Sequence, residues 1–181
     1  MKFADLYNRG ILPIDHVVCG IRLLPLTFGH AKLLDALDIR IPESREELIL
    51  AAFICSSPSS RFMQRKRLRF SLAFWRWRLG RKWDYARSLE VWADYLSHHY
   101  AVPAAMWEKS DRAIGTPALD QLRVALCRYA GYDPMRFDDV EIARANCDYY
   151  TLCEMEGTVK VIGGRLEEIM ERKRQTVEES N

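Results

Sequence analysis

Residues 44–55 read SREELILAAFIC, a polar start that runs directly into an apolar stretch. Ser44 and Glu47 have the spacing of a capping box, in which two side chains accept hydrogen bonds from amides of the first helical turn. Glu47 and its neighbour Glu46 also place negative charge at the positive end of the helix dipole. The residues after Glu47 leave no polar face, and a helix that is apolar all round is covered on several sides. This stretch therefore predicts a buried central helix around which the rest of the chain packs.

The length and composition of the chain indicate one globular domain. It has 181 residues, of which 49% are hydrophobic and 29% charged, as is ordinary for a globular protein. We expect a single helical domain over 1–174 and a frayed tail over 175–181. The N-terminus becomes polar before any apolar run develops, and no run of 18 apolar residues occurs, so the sequence predicts neither a signal peptide nor a membrane span. A cytoplasmic protein is the expectation.

The cysteines favour the same compartment. Their number is odd and none forms a C-x-x-C pair, which is typical of buried free thiols in a reducing cytoplasm. They are Cys19, Cys55, Cys127, Cys147 and Cys153.

Apolar periodicity and helix-end residues predict an all-α fold of six or seven helices. The predicted helices cover 28–37, 44–55, 61–79, 84–100, 116–129, 139–156 and 165–174. Short strands are predicted within 1–22 and 158–162, which allows a minor β-hairpin. Residues 104–107 are predicted to form a short apolar turn.

The stretch 61–83 is the most unusual in composition. It carries nine Lys or Arg and no Asp or Glu, so the remainder has 18 basic against 25 acidic residues, a net charge of −7. As a helix, 61–79 has two apolar seams separated by arginines, although alternating apolar residues also support a strand. The first seam is Met63, Phe70, Ala73 and Trp77, with Phe62 and Phe74 close by, and the second is Leu68, Leu72, Trp75 and Leu79.

Several partners suit this basic and aromatic composition. Single-stranded nucleic acid stacks its bases on aromatic rings, and a membrane-surface helix places arginines at lipid headgroups. Protein interfaces also favour aromatic residues and Arg, whereas a core helix would only extend its arginines outward. A nucleic-acid binder has no need for a second apolar seam, so we predict a protein partner. The predicted partner-binding residues are Arg65, Leu68, Arg69, Leu72, Trp75, Arg76, Arg78 and Leu79.

The sequence offers no catalytic motif. Glu90, Asp94 and His98 share one helical face at the spacing of metal ligands, but that face lies opposite the apolar stripe, so we expect solvent-exposed side chains. His30 suits a general base or a ligand, yet a locally hydrogen-bonded histidine is the commoner case. No P-loop, nucleotide fingerprint or nucleophile motif occurs. The prediction is a non-enzymatic protein without metal or cofactor.

Two segments resemble small proteins encoded among the tail genes of bacteriophages and prophages. They are 21–37 (IRLLPLTFGHAKLLDAL), with an L-T-x-G-H-like turn, and 47–58 (ELILAAFICSSP), which ends in a C-S-x-P-like run. The E-x-x-G ending of the helix over 139–156 is similar to the end of the same proteins. The resemblance implies a mainly helical, non-enzymatic tail-assembly chaperone that keeps the apolar tape-measure protein soluble in the host cytoplasm. It does not extend to 61–83.

Overall fold

The computed structural model describes residues 15–60, 77, 83–102, 105–107 and 118–161, with the backbone alone at 105–107 and 160–161. Most of these residues are helical. The α-helices are α1 (Phe28–Ala36), α2 (Arg45–Cys55), α3 (Tyr85–His99), α4 (Ala118–Tyr129) and α5 (Ile142–Met155). The strands are β1 (Val17–Val18), β2 (Ile21–Arg22), β3 (Ala105–Trp107) and β4 (Val159–Val161). They form two antiparallel pairs, β1 with β2 and β3 with β4.

The mostly helical fold is confirmed, but the described residues form five α-helices, not six or seven. The predicted helix over 61–79, apart from Trp77, and the predicted helix over 165–174 fall outside the described ranges, as does the predicted tail over 175–181. Within the described ranges, no helix has the length and apolar character that crossing a bilayer requires.

Helix α2 is the buried centre of the fold, as its sequence predicts. Seven of its eleven residues are buried, and they belong to several sides of the helix: Leu48, Ile49, Ala51, Ala52, Phe53, Ile54 and Cys55. Ser44 Oγ accepts a hydrogen bond from the Glu47 amide at 3.2 Å. The Glu47 carboxylate reaches the amide of Glu43 rather than that of Ser44, at 2.8 Å. The capping box therefore differs from the usual one in a single hydrogen bond, because the Glu47 side chain binds the amide that precedes the N-cap residue.

Several other helix ends also follow their sequence signals. Thr27 caps α1 and Asp84 caps α3, each accepting a hydrogen bond from an amide of the first turn. Gly131 and Gly157, which follow α4 and α5, have φ of 71° and 74°. Glycine adopts this left-handed conformation without steric cost, so the two helices end where the sequence predicts.

Helix α5 begins at Ile142, whereas the sequence predicts a start at residue 139. Residues Phe137–Asp139 form a 3₁₀ turn, and the chain then becomes extended at Val140. The extended backbone accepts a hydrogen bond from Phe28 at Val140 O, 3.1 Å away, and Ile142 donates one to Leu26 O at 2.9 Å. These two hydrogen bonds hold residues 140–142 to the chain at the start of α1. Val140 is therefore extended and does not lengthen α5 at its N-terminus.

Helix α3 buries a face rotated from the predicted one. The apolar spacing of this helix predicts one buried face made of Tyr85, Leu89, Trp92, Ala93, Leu96 and Tyr100. Trp92 is buried and Ala93 is exposed, whereas the other four residues are half-buried against the core. The residues that are buried outside the predicted face are Ser88, Tyr95, His98 and His99.

Two buried aromatic side chains tie α3 to the chain around α1 and α2. Trp92 Nε1 donates to Arg40 O at 3.1 Å, and Tyr95 Oη donates to Leu24 O at 2.9 Å. These hydrogen bonds satisfy the polar atoms of large side chains in the core, as burial requires.

The two strand pairs differ in how far their partners lie apart in sequence. β1 and β2 form a hairpin through Cys19 and Gly20, both at positive φ (52° and 74°), as a two-residue hairpin turn requires. The predicted short strands within 1–22 and 158–162 are confirmed by β1, β2 and β4. The turn predicted over 104–107 is wrong, because β3 takes an extended form to pair with β4, more than fifty residues later.

Candidate functional site

All eight predicted partner-binding residues lie outside the described residues: Arg65, Leu68, Arg69, Leu72, Trp75, Arg76, Arg78 and Leu79. Within 61–82 the structure describes only Trp77, which is helical and 77% exposed. Trp77 belongs to the first seam, next to the predicted binding residues in sequence. The exposed indole makes the basic–aromatic segment, residues 61–83, a candidate interaction surface.

The residues on either side of 61–82 are attached to the core. Ser59 is buried, and its hydroxyl donates to Asp139 Oδ1 at 3.5 Å. At the other end, Arg45 Nη2 donates to Trp83 O at 3.0 Å, and its guanidinium carbon lies 4.6 Å from the centre of the Trp83 ring. The chain is therefore attached to the core at Ser59, just before the basic–aromatic segment, and at Trp83, the last residue of that segment.

The two short motifs behind the phage resemblance contact each other. His30 Nε2 donates to Ser57 O at 2.8 Å, which joins the L-T-x-G-H turn to the C-S-x-P run. A Cβ placed on Gly29 would lie 2.5 Å from Ser59 Oγ. The chain that precedes the L-T-x-G-H turn also contacts the end of α2, because the Leu24 amide donates to Cys55 O at 2.7 Å. The motif residues thus have a structural explanation within this chain.

His30 is a structural histidine, as the sequence favours. Its Nδ1 accepts from the Thr27 amide at 3.3 Å while Thr27 Oγ1 accepts from the His30 amide at 3.4 Å, a reciprocal cap. Since Nδ1 accepts and Nε2 donates to Ser57, the ring carries its proton on Nε2. Burial lowers the pKa of His30, which favours this neutral form. The imidazole has no free nitrogen left for general-base work.

The Glu90, Asp94 and His98 set does not form a shared site. Glu90 and Asp94 are exposed, whereas His98 is buried, so the expectation of three solvent-exposed side chains is wrong for His98. Across the described residues, no group of three or more His, Cys, Asp or Glu is arranged to hold a metal ion.

His98 belongs instead to a buried group that the sequence does not reveal, which we call the histidine cluster: His16, His98 and His99. The ring centres of His16 and His98 are 5.7 Å apart, those of His16 and His99 6.3 Å, and those of His98 and His99 5.0 Å. Their relative exposures are 4%, 4% and 7%. Three of the chain's four histidines thus meet where the β1–β2 hairpin packs on α3.

The surroundings of the histidine cluster disfavour positive charge on His99. Burial, followed by the charges of His98, His16 and His30, lowers the pKa of His99 to about 3. Its Nδ1 is buried without a hydrogen-bond partner among the described residues. At the edge of the cluster, His16 Nε2 lies 3.2 Å from the exposed carboxylate oxygen Asp94 Oδ2.

The buried thiols are unreactive in this environment. Burial raises the pKa of Cys19 to about 11 and that of Cys55 to about 12. The thiolate is the nucleophilic form, so at neutral pH both side chains act as small apolar groups. All five cysteines are free; Cys19, Cys55 and Cys153 are buried and the other two half-buried, which agrees with the predicted free thiols.

The histidine cluster was not predicted from the sequence, for two reasons. His16 is far from His98 and His99 along the chain, and histidines count as polar residues in a hydrophobic pattern. His99 does lie four residues after Tyr95 and seven after Trp92, which places it on a helical stripe with two buried aromatic residues. That spacing was a usable signal for His99. Nothing in the sequence indicates that His16, more than eighty residues earlier, packs against it.

Comparison of the chain with protein-family models, with curated protein sequences and with solved structures found no match.

Proposed function

We propose that this protein is a non-enzymatic adaptor that binds a helical tail protein during phage tail assembly, in the manner of a tape-measure chaperone. The observation that carries the proposal is Trp77, 77% exposed inside the basic–aromatic segment. Tryptophan is among the residues that contribute most to protein interfaces, and arginine is another. The role itself comes from the phage resemblance.

The attachments of the chain at Ser59 and at Trp83 support a binding element between them. Ser59, just before the basic–aromatic segment, contacts Asp139, and Trp83, the last residue of the segment, contacts Arg45. A segment held at both ends loses less conformational freedom on binding than a free chain does. Its nine positive charges also suit a partner with acidic residues beside an apolar helical face.

The test is co-purification with the tape-measure protein encoded in the same genome. We expect the triple variant Arg65→Glu, Arg69→Glu and Arg76→Glu to fold normally and to lose the partner. We expect Trp77→Ala to weaken binding about tenfold or more, since a central tryptophan is a frequent hot spot.

A matched control reverses three exposed arginines of the described body, Arg87, Arg128 and Arg136. This control carries the same change in net charge and should still co-purify. If the Arg65, Arg69 and Arg76 variant still co-purifies with the partner, the proposed surface is wrong. If both triple variants lose the partner equally, the loss is an effect of net charge and not of this surface.

The alternative is a nucleic-acid binder, which the same nine basic residues and interleaved aromatic rings favour. Such a protein releases counterions from phosphates, so its affinity falls steeply with salt. Titration of a single-stranded oligonucleotide at low and at physiological salt distinguishes the two functions. Absence of a gel shift at low salt eliminates the nucleic-acid function.

A further inference from the structure

Arg45 is the first residue of α2, a position where a positive charge is electrostatically unfavourable. The amide dipoles give the N-terminus of a helix partial positive charge, which Glu46 and Glu47 complement and the Arg45 guanidinium opposes. The start of α2 therefore gives no reason for an arginine at this position. A reason lies in the neighbouring chain, because the Arg45 side chain reaches Trp83.

Arg45 contacts both the backbone and the side chain of Trp83. Its Nη2 donates to the carbonyl oxygen of Trp83 at 3.0 Å, and its guanidinium carbon lies 4.6 Å from the centre of the Trp83 ring. A planar guanidinium combines a fork of directed donors with a flat cation that stacks on an aromatic ring, which a lysine ammonium does not. The contact therefore restrains the position of Trp83 as well as the orientation of its ring.

The other surroundings of Trp83 hold it less specifically. Its side chain is half-buried against the hydrophobic core, and its ring centre lies 6.1 Å from that of Tyr85. Its Nε1 is buried without a hydrogen-bond partner among the described residues, so the indole N–H does not help to hold the ring. Within the described part of the chain, Arg45 thus supplies the directed contact to Trp83, and apolar packing supplies the rest.

We propose that Arg45 is a positioning residue for the basic–aromatic segment: by holding Trp83, the last residue of that segment, it raises the affinity of the segment for its protein partner. The inference rests on the proposed function, because it takes the basic–aromatic segment as the binding element. Restraint at Trp83 before binding lowers the conformational entropy that binding costs. Arg45 acts through Trp83 and needs no contact with the partner.

The size of the effect follows from the two contacts that Arg45 makes. A cation over an aromatic ring at an exposed site, together with one hydrogen bond, changes a local opening equilibrium by about five- to tenfold. The free energy of global unfolding should change little, because Arg45 is exposed and its removal also relieves an unfavourable charge in the first turn of α2. A positioning role therefore differs measurably from a general contribution to stability.

The first experiment measures the release of Trp83 in the protein without its partner. Trypsin cleaves after Lys82, and the protease can bind the Lys82–Trp83 bond when Trp83 has left its site. Where opening and reclosing are faster than cleavage, the cleavage rate follows the population of the open form. We expect Arg45→Ala to raise the rate at this bond about five- to tenfold, and Arg45→Lys, which keeps a cation near the ring, to give an intermediate rate.

The matched control is Arg87→Ala, which also removes an exposed positive charge from the first turn of a helix, here α3. We expect this variant to leave cleavage at the Lys82–Trp83 bond unchanged. The second experiment measures the dissociation constant of each variant for the tape-measure protein encoded in the same genome. Arg45→Ala should bind about five- to tenfold more weakly than the wild type, whereas Arg87→Ala should bind equally well.

The two experiments separate this inference from the proposed function. If the wild type does not bind the tape-measure protein, the proposed function is wrong, and cleavage at the Lys82–Trp83 bond alone decides whether Arg45 holds Trp83. Unchanged cleavage of Arg45→Ala at that bond, or faster cleavage throughout the chain, would overturn the inference. So would an Arg45→Ala protein that releases Trp83 yet binds the partner as tightly as the wild type does.

Discussion

Three neighbouring residues at the start of α1 have three separate physical roles. Thr27 caps the helix, Gly29 leaves room for another segment, and His30 joins the cap to Ser57. The cap is readable from sequence, because a threonine before an apolar helix is a start signal. The role of Gly29 cannot be predicted from the sequence. The atoms that pack against it belong to Ser59 and to Asp138, and Asp138 is more than a hundred positions away.

Replacing Gly29 with alanine should destabilise the protein despite alanine's better helix propensity. The new Cβ would lie 2.5 Å from Ser59 Oγ and 2.9 Å from the carbonyl oxygen of Asp138, a backbone atom that cannot rotate aside. We expect a loss of about 2–3 kcal/mol in the free energy of unfolding, as for overpacked core sites, measured by chemical denaturation.

Gly131→Ala is the matched control, because its Cβ would meet nothing within 4 Å and only its φ of 71° is unfavourable. That variant should lose about 1 kcal/mol. A Gly29→Ala protein as stable as the wild type would show that α1 and the 3₁₀ turn separate freely.

At the scale of elements, α2 and α3 show how far hydrophobic pattern predicts burial. The unbroken apolar run of α2 is correctly predicted to be buried on several sides. In α3 the pattern identifies the helix and the buried Trp92, but it leaves out the buried His98 and His99, because histidines count as polar residues. The imidazole rings of His98 and His99 are apolar over most of their surface, and they pack on each other and on Tyr95. Classifying histidine as polar therefore gives the wrong burial, whereas the helical spacing gives the right one.

Helix α2 should not accept a larger side chain at Ala52. Ala51 and Ala52 are both 0% exposed on adjacent sides of the helix, so neighbouring elements approach the backbone closely there. We expect Ala52→Leu to reduce the free energy of unfolding by about 3 kcal/mol, because the added carbons force side chains and backbone to shift. Ala86→Leu, on the exposed side of α3, should stay within about 0.5 kcal/mol of wild type in the same denaturation assay.

Equal stability of Ala52→Leu and wild type would mean that the surroundings of α2 rearrange easily. That result would contradict a tightly enclosed central helix.

At the scale of the whole molecule, the helices that the structure describes were predictable because their signals are local. The pairing of β3 with β4 was not, since neither segment has a feature that specifies the other. The same holds for the histidine cluster, whose members come from the hairpin and from α3. The basic–aromatic segment is a strong compositional signal, but its binding role stays a prediction.

The molecule as a whole should lose stability in alkali through its buried thiols. The pKa of Cys55 is about 12 when folded against 9.0 ordinarily, so its stabilising effect is present below pH 9 and is lost as the pH rises. Between pH 8 and pH 10 we expect a loss of about 1 kcal/mol from Cys55. Cys19, with its pKa raised to about 11, acts in the same direction.

Chemical denaturation of wild type and Cys55→Ala at pH 8 and pH 10 measures this effect. The alanine variant has a cavity cost that does not depend on pH, so the difference in free energy of unfolding between the two proteins should shrink by about 1 kcal/mol at pH 10. A constant difference would show that the thiol is accessible to hydroxide in the native state.

The bridge between Thr27 and Glu141 has a consequence for synthesis on the ribosome. Phe28 donates its amide hydrogen to Val140 O, so α1 acquires its final partner only after more than a hundred further residues have been translated. At roughly 5–20 residues per second, the nascent N-terminal half waits on the order of 5–20 s with apolar surface uncovered. Slow codons downstream of α1 should therefore lower the yield of native protein, and folding should be completed late in translation or after release.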